Sequence, residues 1–194
     1  MIHIPETHRL VLVSIRGPMG SGKTTAAEIL CREHGFTRLS FATPLKKIVE
    51  RITPDGKIDK ARDRALLQFL GTEYFRTIDP DFWVKQWVKA VAERLELTMG
   101  ECRIVVDDCR FANEVEAVQR LKGHQAYLDV KPQFRLNRLA ARDGVVAEGI
   151  EGHASESDLG SDGCLIIDNN GSTRQLAYHL NVFTAFAAAF SEHH

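Results

Sequence analysis

The chain has 194 residues, 44% of them hydrophobic and 26% charged, proportions of a globular protein rather than a disordered one. Its 25 basic and 26 acidic residues leave a formal charge of −1, which argues against a nucleic-acid partner, since a phosphate-backbone binder carries a basic footprint. No apolar run approaches the ~20 residues that span a bilayer, and the start lacks the basic and apolar regions of a signal peptide, so a cytoplasmic protein with no membrane partner is expected.

Arg9 to Ile15 reads RLVLVSI, an apolar run that predicts a buried parallel strand. The turn-rich Gly17–Gly22 follows, then a helix from Lys23 to His34 stopped by Gly35. A short strand is expected near Phe36 to Phe41, and Thr43-Pro44 cap a helix running to about Ile52, which Thr53-Pro54-Asp55-Gly56 breaks. Arg62 to Ile78 reads as helical with an interruption near Gly71. Pro80 to Leu97 is an amphipathic helix with Phe82, Trp83, Trp87, Val91 and Leu95 on its apolar side. Arg103–Asp107 predicts a strand, Phe111–Leu121 a helix, Gln125–Val130 a strand and Gln133–Arg142 a helix. Asp143–Gly163, rich in Gly, Ser and acids, is expected to contain a mobile segment. A last strand, Cys164–Asp168, turns at Asn169-Asn170-Gly171-Ser172 into a helix from about Thr173 to Phe190. Alternating strands and helices predict an α/β fold, a P-loop NTPase-type parallel sheet wrapped by helices in one domain, 1–194. Cys31, Cys102, Cys109 and Cys164 are scattered without a CxxC pair, so reduced thiols are expected rather than disulfides or zinc.

Gly17-Pro18-Met19-Gly20-Ser21-Gly22-Lys23-Thr24 fits GxxxxGK[ST] at every fixed position, between a strand and a helix. Glycines let the backbone wrap a phosphate with its N–H groups inward, and the helix N-terminus adds a positive dipole end. Gly17, Gly20, Ser21, Gly22, Lys23, Thr24 and Thr25 therefore form the expected ATP-binding set. Lys23 reaches the β- and γ-phosphates, and Thr24 places its hydroxyl on Mg²⁺. A second metal-side acid is expected at a strand end, where Asp107 and Asp108 stand side by side. Neighbouring strand residues point to opposite faces, so one of the two faces the loop, and the spacing does not choose between them.

The P-loop is followed by the blocks Phe41-Ala42-Thr43-Pro44-Leu45-Lys46, Leu66–Arg76 (LLQFLGTEYFR), Asp81-Phe82-Trp83, Asp108–Glu114 (DCRFANE) and His153-Ala154-Ser155-Glu156. In this order, from Leu10 to about Leu180, they resemble the bacteriophage-type deoxynucleoside monophosphate kinases of the P-loop nucleoside monophosphate kinase group. The resemblance implies ATP- and Mg²⁺-dependent phosphorylation of a deoxynucleoside monophosphate to its diphosphate, supplying DNA synthesis, in the host cytoplasm if phage-encoded. It also makes a homodimer an expectation. It favours Asp108 as the motif acid, with Asp107 its neighbour. Two positions depart from the family: Thr43 stands where FADPLK has an acid, and Cys109 where DVRF has Val.

Within these blocks Arg76 and Arg110 read as forks on the acceptor phosphate, since a guanidinium matches a phosphate bidentately. Gln68 and Glu73 share a helical segment with Arg76 and either orient it or bind sugar or base. Lys46 and Asn113 complete the polar part of the monophosphate set. Phe41 and Trp83 pack either a nucleobase or the core. The acceptor region is expected at about 43–98. Arg135, Arg138 and Arg142 at i, i+3 and i+7 share a helix face, and Arg138 and Arg142 read as catalytic lid residues beside Lys23 and Arg110, in a lid of about 133–163. His153, Ser155 and Glu156 form a substrate-site or lid-hinge element. Asn169 and Gly171 lie where the ATP base would sit, at the carboxyl end of a strand. A monophosphate acceptor, with a second pKa near ~6, needs no general base, and no such base is apparent. Two other readings stand beside this one: a P-loop kinase for another small acceptor, phosphorylated or alcoholic, with the layout of phosphomevalonate-type kinases, and an NTP-driven switch module.

Overall fold

The computed structural model describes residues 8–59, 62–143 and 159–191. Its sheet holds β1 (Arg9–Arg16), β2 (Thr37–Arg38), β3 (Glu101–Val106), β4 (His124–Asp129) and β5 (Leu165–Asp168) in the order β2-β3-β1-β4-β5. Each adjacent pair is parallel, with Arg9 to Ser14 opposite Glu101 to Val106 and Val13 to Arg16 opposite His124 to Tyr127.

β1 is apolar over Leu10–Val13 and at Ile15 because both its faces are covered. Val11, Val13 and Ile15 pack with Ala26, Leu30, Leu180 and Phe183, from α1 (Lys23–His34) and α8 (Thr173–Phe190). Leu10 and Leu12 face the opposite layer, with Trp87, Val91 and Leu95 of α5 (Phe82–Glu96) and Val118 of α6 (Ala112–Arg120). Each such side chain removed from water contributes about 1.5–3 kcal/mol. Among the described residues no helix is long and apolar enough to cross a membrane. All four cysteines are free, as their scatter implies.

Three expected elements differ in detail. The strand foreseen over Phe36–Phe41 shrinks to Thr37–Arg38, because only these two pair with Ile104 and Val105 of β3. α2 (Ala42–Ile52) begins before Thr43-Pro44, so Thr43 lies inside the first turn rather than capping it. The helix has no acid of its own there. The Asp108 carboxylate takes the N–H groups of Phe41 and Ala42, each at 3.0 Å, and the Ser40 hydroxyl. An acid thus sits at the α2 N-terminus although Thr43 replaces the family acid.

The stretch foreseen as one interrupted helix is α3 (Arg64–Gln68), a π turn (Phe69–Tyr74) and α4 (Phe75–Ile78). A π turn carries one residue more than an α turn, and its carbonyls need other donors. Gly71 O accepts the Trp83 indole N–H at 2.9 Å and Arg76 Nε–H at 3.1 Å. A Cβ on Gly71 would stand 2.8 Å from Leu45 Cδ2, so the glycine lets the turn lie close against α2. The remaining described helix, α7 (Pro132–Asp143), follows β4.

The short β2 is held to the sheet by a charge pair as well as by its ladder. Arg38 Nε and Nη2 donate to the two oxygens of Asp107, each at 2.7 Å, and the Asp107 side chain is only 2% exposed. Removing one partner of such a pair leaves a buried charge unmatched. Arg38→Met should lower unfolding free energy by about 3 kcal/mol in urea titration, and Arg38→Met with Asp107→Leu should recover most of that loss.

Candidate active site

β1 ends where the chain must reverse into α1, and the loop between them has three glycines at positive φ: Gly17 (137°), Gly20 (77°) and Gly22 (95°). All three are also confined by neighbours. A Cβ at Gly17 would meet Ser21 Oγ at 2.8 Å and Leu128 O at 2.9 Å, and one at Gly22 would meet Asn169 Nδ2 at 2.8 Å. Gly22 is the N-cap of α1 and has no side chain to bond the first-turn N–H groups. Such an uncapped N-terminus suits an anion. Lys23 Nζ lies within the loop, donating to the carbonyls of Gly17 at 2.6 Å and Pro18 at 2.9 Å. Thr24 and Thr25 are exposed.

The loop is buttressed from β4, β5 and α7. Asn169, just past β5 and buried, donates its amide to Ser21 O at 2.7 Å. Arg138 Nη2 donates to Asn169 O at 2.7 Å and Nη1 to Ser21 O at 3.4 Å. Arg135 O lies 3.0 Å from where a Gly20 Cβ would be. Asn169 and Arg138, read from sequence as ATP-base and lid residues, are therefore bonded here to the backbone of the phosphate loop. Gly171 stands at the start of α8, where a Cβ would strike Gln175 Oε1. The Gln175 side chain reaches back at this point to accept the Ser172 N–H at 2.8 Å. Arg142 falls in the last turn of α7, but its side chain lies outside the described residues, as do His153, Ser155 and Glu156.

At the carboxyl end of β3 the two aspartates have separate partners. Asp107 carries the Arg38 pair, and burial raises its carboxyl above the ordinary range against the pull of Arg38. Asp108 Oδ2 accepts from Ser40 and Ala42, and Oδ1 from Phe41 alone. A carboxylate offers about four acceptor positions. Asp108 thus keeps one position on Oδ1; Asp107, with one bond on each oxygen, keeps two, but its carboxylate faces the positive charge of Arg38, which disfavours a cation there. Mg²⁺ commonly takes only one or two carboxylates and completes its shell with waters and substrate phosphates. The exposed Thr24 hydroxyl and Asp108 fit that hard-oxygen demand. No group of three or more metal-binding side chains exists among the described residues.

A second cluster forms where α4, α5 and α6 meet. Arg76, with its side chain 13% exposed, donates to Glu114 Oε1 at 2.5 Å and lies 3.7 Å above the Phe111 ring. Arg110 is exposed, on the β3–α6 connection. Asn113 Nδ2 donates to Pro80 O at 3.0 Å and Asp81 Oδ1 at 2.8 Å, tying α6 to the start of α5. Lys46 and Glu73 are exposed, and Gln68 is half-buried. The rings of Phe41 and Trp83 lie in the core, 3% and 2% exposed, with Phe41 stacked on Trp87 at 4.6 Å. Glu114 has no role in the motif reading. Its place at the end of the DCRFANE block, three residues into α6, was the available signal, because a Glu there accepts the N–H of the residue that precedes the helix, here Phe111 at 3.3 Å.

Comparison with known proteins agrees with this geometry. A viral relative from Acanthamoeba polyphaga mimivirus, provisionally named a deoxynucleotide monophosphate kinase, is 28% identical over 179 residues, covering 78% of this chain and 83% of the relative. Among solved structures, Thermus thermophilus TT1252 superposes with a TM-score of 0.58 at 22% identity, covering 92% of this chain and 98% of the other. A Janibacter sugar kinase superposes at 0.55 and 17% identity, covering 95% and 99%. These likenesses match the parallel sheet with flanking helices. The profile of the AAA domain family matches residues 13–157, which take in the phosphate loop, the β3 acids and the Arg76–Glu114 cluster, so the chain belongs to the AAA domain family.

Proposed function

We propose that this protein is a kinase that transfers the γ-phosphoryl group of ATP to deoxynucleoside 5′-monophosphates, in the cytoplasm, giving diphosphates for DNA synthesis. The observation that carries this reading is the second cationic cluster. The loop around Lys23 serves one phosphate chain, while Arg76 is held rigidly at a separate place with Arg110 on the adjoining connection. An acceptor that itself bears a phosphate needs two such sites. The name of the viral relative points the same way.

The strand-end acids support the phosphate acceptor over an alcohol. An alcohol acceptor calls for an acid to take its proton, as the catalytic aspartate of protein kinases does. Here Asp107 is committed to Arg38, and the one open position of Asp108, otherwise bonded to the start of α2, is the one this reading gives to Mg²⁺. A phosphate monoester has a second pKa near ~6, so its attacking oxygen is already ionised at neutral pH. On this reading the first-turn N–H groups of α1 and Lys23 hold the ATP phosphates. Thr24 and Asp108 hold Mg²⁺, which when bound supplies charge against the β- and γ-phosphates. Arg76 and Arg110 hold the acceptor phosphate in line, Lys46, Gln68 and Glu73 of the helical region of about 43–98 and Asn113 of α6 complete its polar surroundings, and α7 begins the lid.

The direct test mixes protein, ATP and Mg²⁺ with each deoxynucleoside monophosphate and measures ADP and the new diphosphate. ATP loss that no monophosphate accelerates would favour the switch module, and turnover with an alcohol alone would favour the other kinase reading. Lys23→Ala should abolish transfer with an unchanged thermal midpoint, because its charge is spent on the transferring group. Arg110→Ala should raise KM for the monophosphate about ten- to a hundredfold, the loss of one charge-assisted contact, and leave KM for ATP nearly unchanged. The rate at subsaturating monophosphate should fall as pH drops below about 6, the second phosphate pKa, and Asp108→Asn should not shift that limb.

A further inference from the structure

Glu114 is almost wholly buried, yet both its oxygens are bonded. Oε2 accepts the backbone N–H of Arg110 at 2.7 Å and of Phe111 at 3.3 Å. Oε1 accepts Arg76 Nη2–H at 2.5 Å, from a helix 38 residues earlier in the chain. The same guanidinium gives its Nε–H to Gly71 O, and the Phe111 ring lies beneath it. The ring sets the plane of the guanidinium, and the two acceptors set its rotation within that plane. Nη1 takes no part in this hold.

Capping the N-terminus of α6 does not need this arrangement, because it uses Oε2 alone. Burying a carboxylate with a guanidinium adds little net stability, since desolvation offsets the attraction. What the contact does supply is geometry. One carboxylate joins the side chain of Arg76 to the backbone that carries Arg110.

We propose that Glu114 is a positioning residue for the acceptor phosphate: it fixes Arg76 and the Arg110 backbone relative to each other, so that both guanidinium groups meet one phosphate. This rests on the reading of Arg76 and Arg110 as acceptor-phosphate ligands. Misplacement of a binding group by ~1 Å can cost ~10²-fold in rate, so a weakened link should show in kinetics well before it shows in folding.

The test is steady-state kinetics on Glu114→Gln, Arg76→Gln and the double variant, with the monophosphate that the wild type uses best. Glu114→Gln should raise KM for the monophosphate roughly tenfold, the scale of one lost charge-assisted hydrogen bond, and leave KM for ATP nearly unchanged. In the Arg76→Gln background the same change should add almost nothing to that KM. A lower thermal midpoint with both KM values at wild-type level would overturn the proposal and leave Glu114 a helix cap, as would full additivity of the two changes. If Arg76→Gln itself leaves KM for the monophosphate unchanged, the acceptor-site reading fails. If Arg76→Gln raises it and Glu114→Gln does not, only the positioning role fails. Should Glu114→Gln not fold, Glu114→Asp keeps the charge and withdraws it by one methylene. Raised monophosphate KM in that variant supports the proposal, and unchanged KM overturns it.

Discussion

Parallel pairing of β1 with β3 on one side and β4 on the other is the constraint from which the site follows. Parallel strands all deliver their carboxyl ends to one edge of the sheet, where an α/β fold binds ligands. At that edge β1 opens into the glycine loop, β3 into Asp107 and Asp108, and β5 into Asn169. The apolar register makes this possible. Val11, Val13 and Ile15 take one face while Leu10 and Leu12 take the other, and both faces are covered by helices. A slip of one residue in β1 would exchange those faces and move the loop away from its supports.

Polar groups around this edge are buried only with partners, and the partners connect distant parts of the chain. Arg16, the last residue of β1, is 6% exposed and donates to the carbonyls of Leu159 and Gly160, both at 2.8 Å, and to Gln125 Oε1 at 3.1 Å. Carbonyl dipoles carry much of the cost of burying its charge. The residue that enters the phosphate loop is thereby tied to the segment that precedes β5. Arg38 with Asp107, and Arg76 with Glu114, do the same on the other side of β1. Each of these contacts is specific in direction, so together they set where the cations and acids of the site point.

The phosphate loop shows how packing converts a motif into a fixed shape. Its glycines are required by positive φ, and also by Leu128, Arg135 and Asn169 pressing on the loop from three elements. Asn169 and Arg138 bond the Ser21 carbonyl from outside. A nucleotide arriving at such a loop finds the N–H groups already arranged, and spends little binding energy on ordering them.

Local sequence determined much of this protein. The strand–loop–helix opening was legible because GxxxxGK[ST] is short and its geometry is set by residues adjacent in the chain, and the alternation of apolar runs with helical periods was enough for the parallel sheet. The cluster of Arg76, Phe111 and Glu114 was legible only in part. Arg76 and Arg110 stood out as charges inside recognisable blocks, and Glu114 closes one of those blocks, but nothing in the sequence showed that it joins them. Its partner is 38 residues away, and periodicity does not report which side chains meet across such a separation. The same limit applied to Phe41 and Trp83, whose type suits a base or a core, with the core favoured for Trp83, until Trp87 and Gly71 were seen beside them. It applied again to the adjacent aspartates, whose roles separate only when Arg38 closes on one and the start of α2 on the other. Tertiary structure decided these points because a buried polar or aromatic group is defined by its partners, and those come from other elements of the fold.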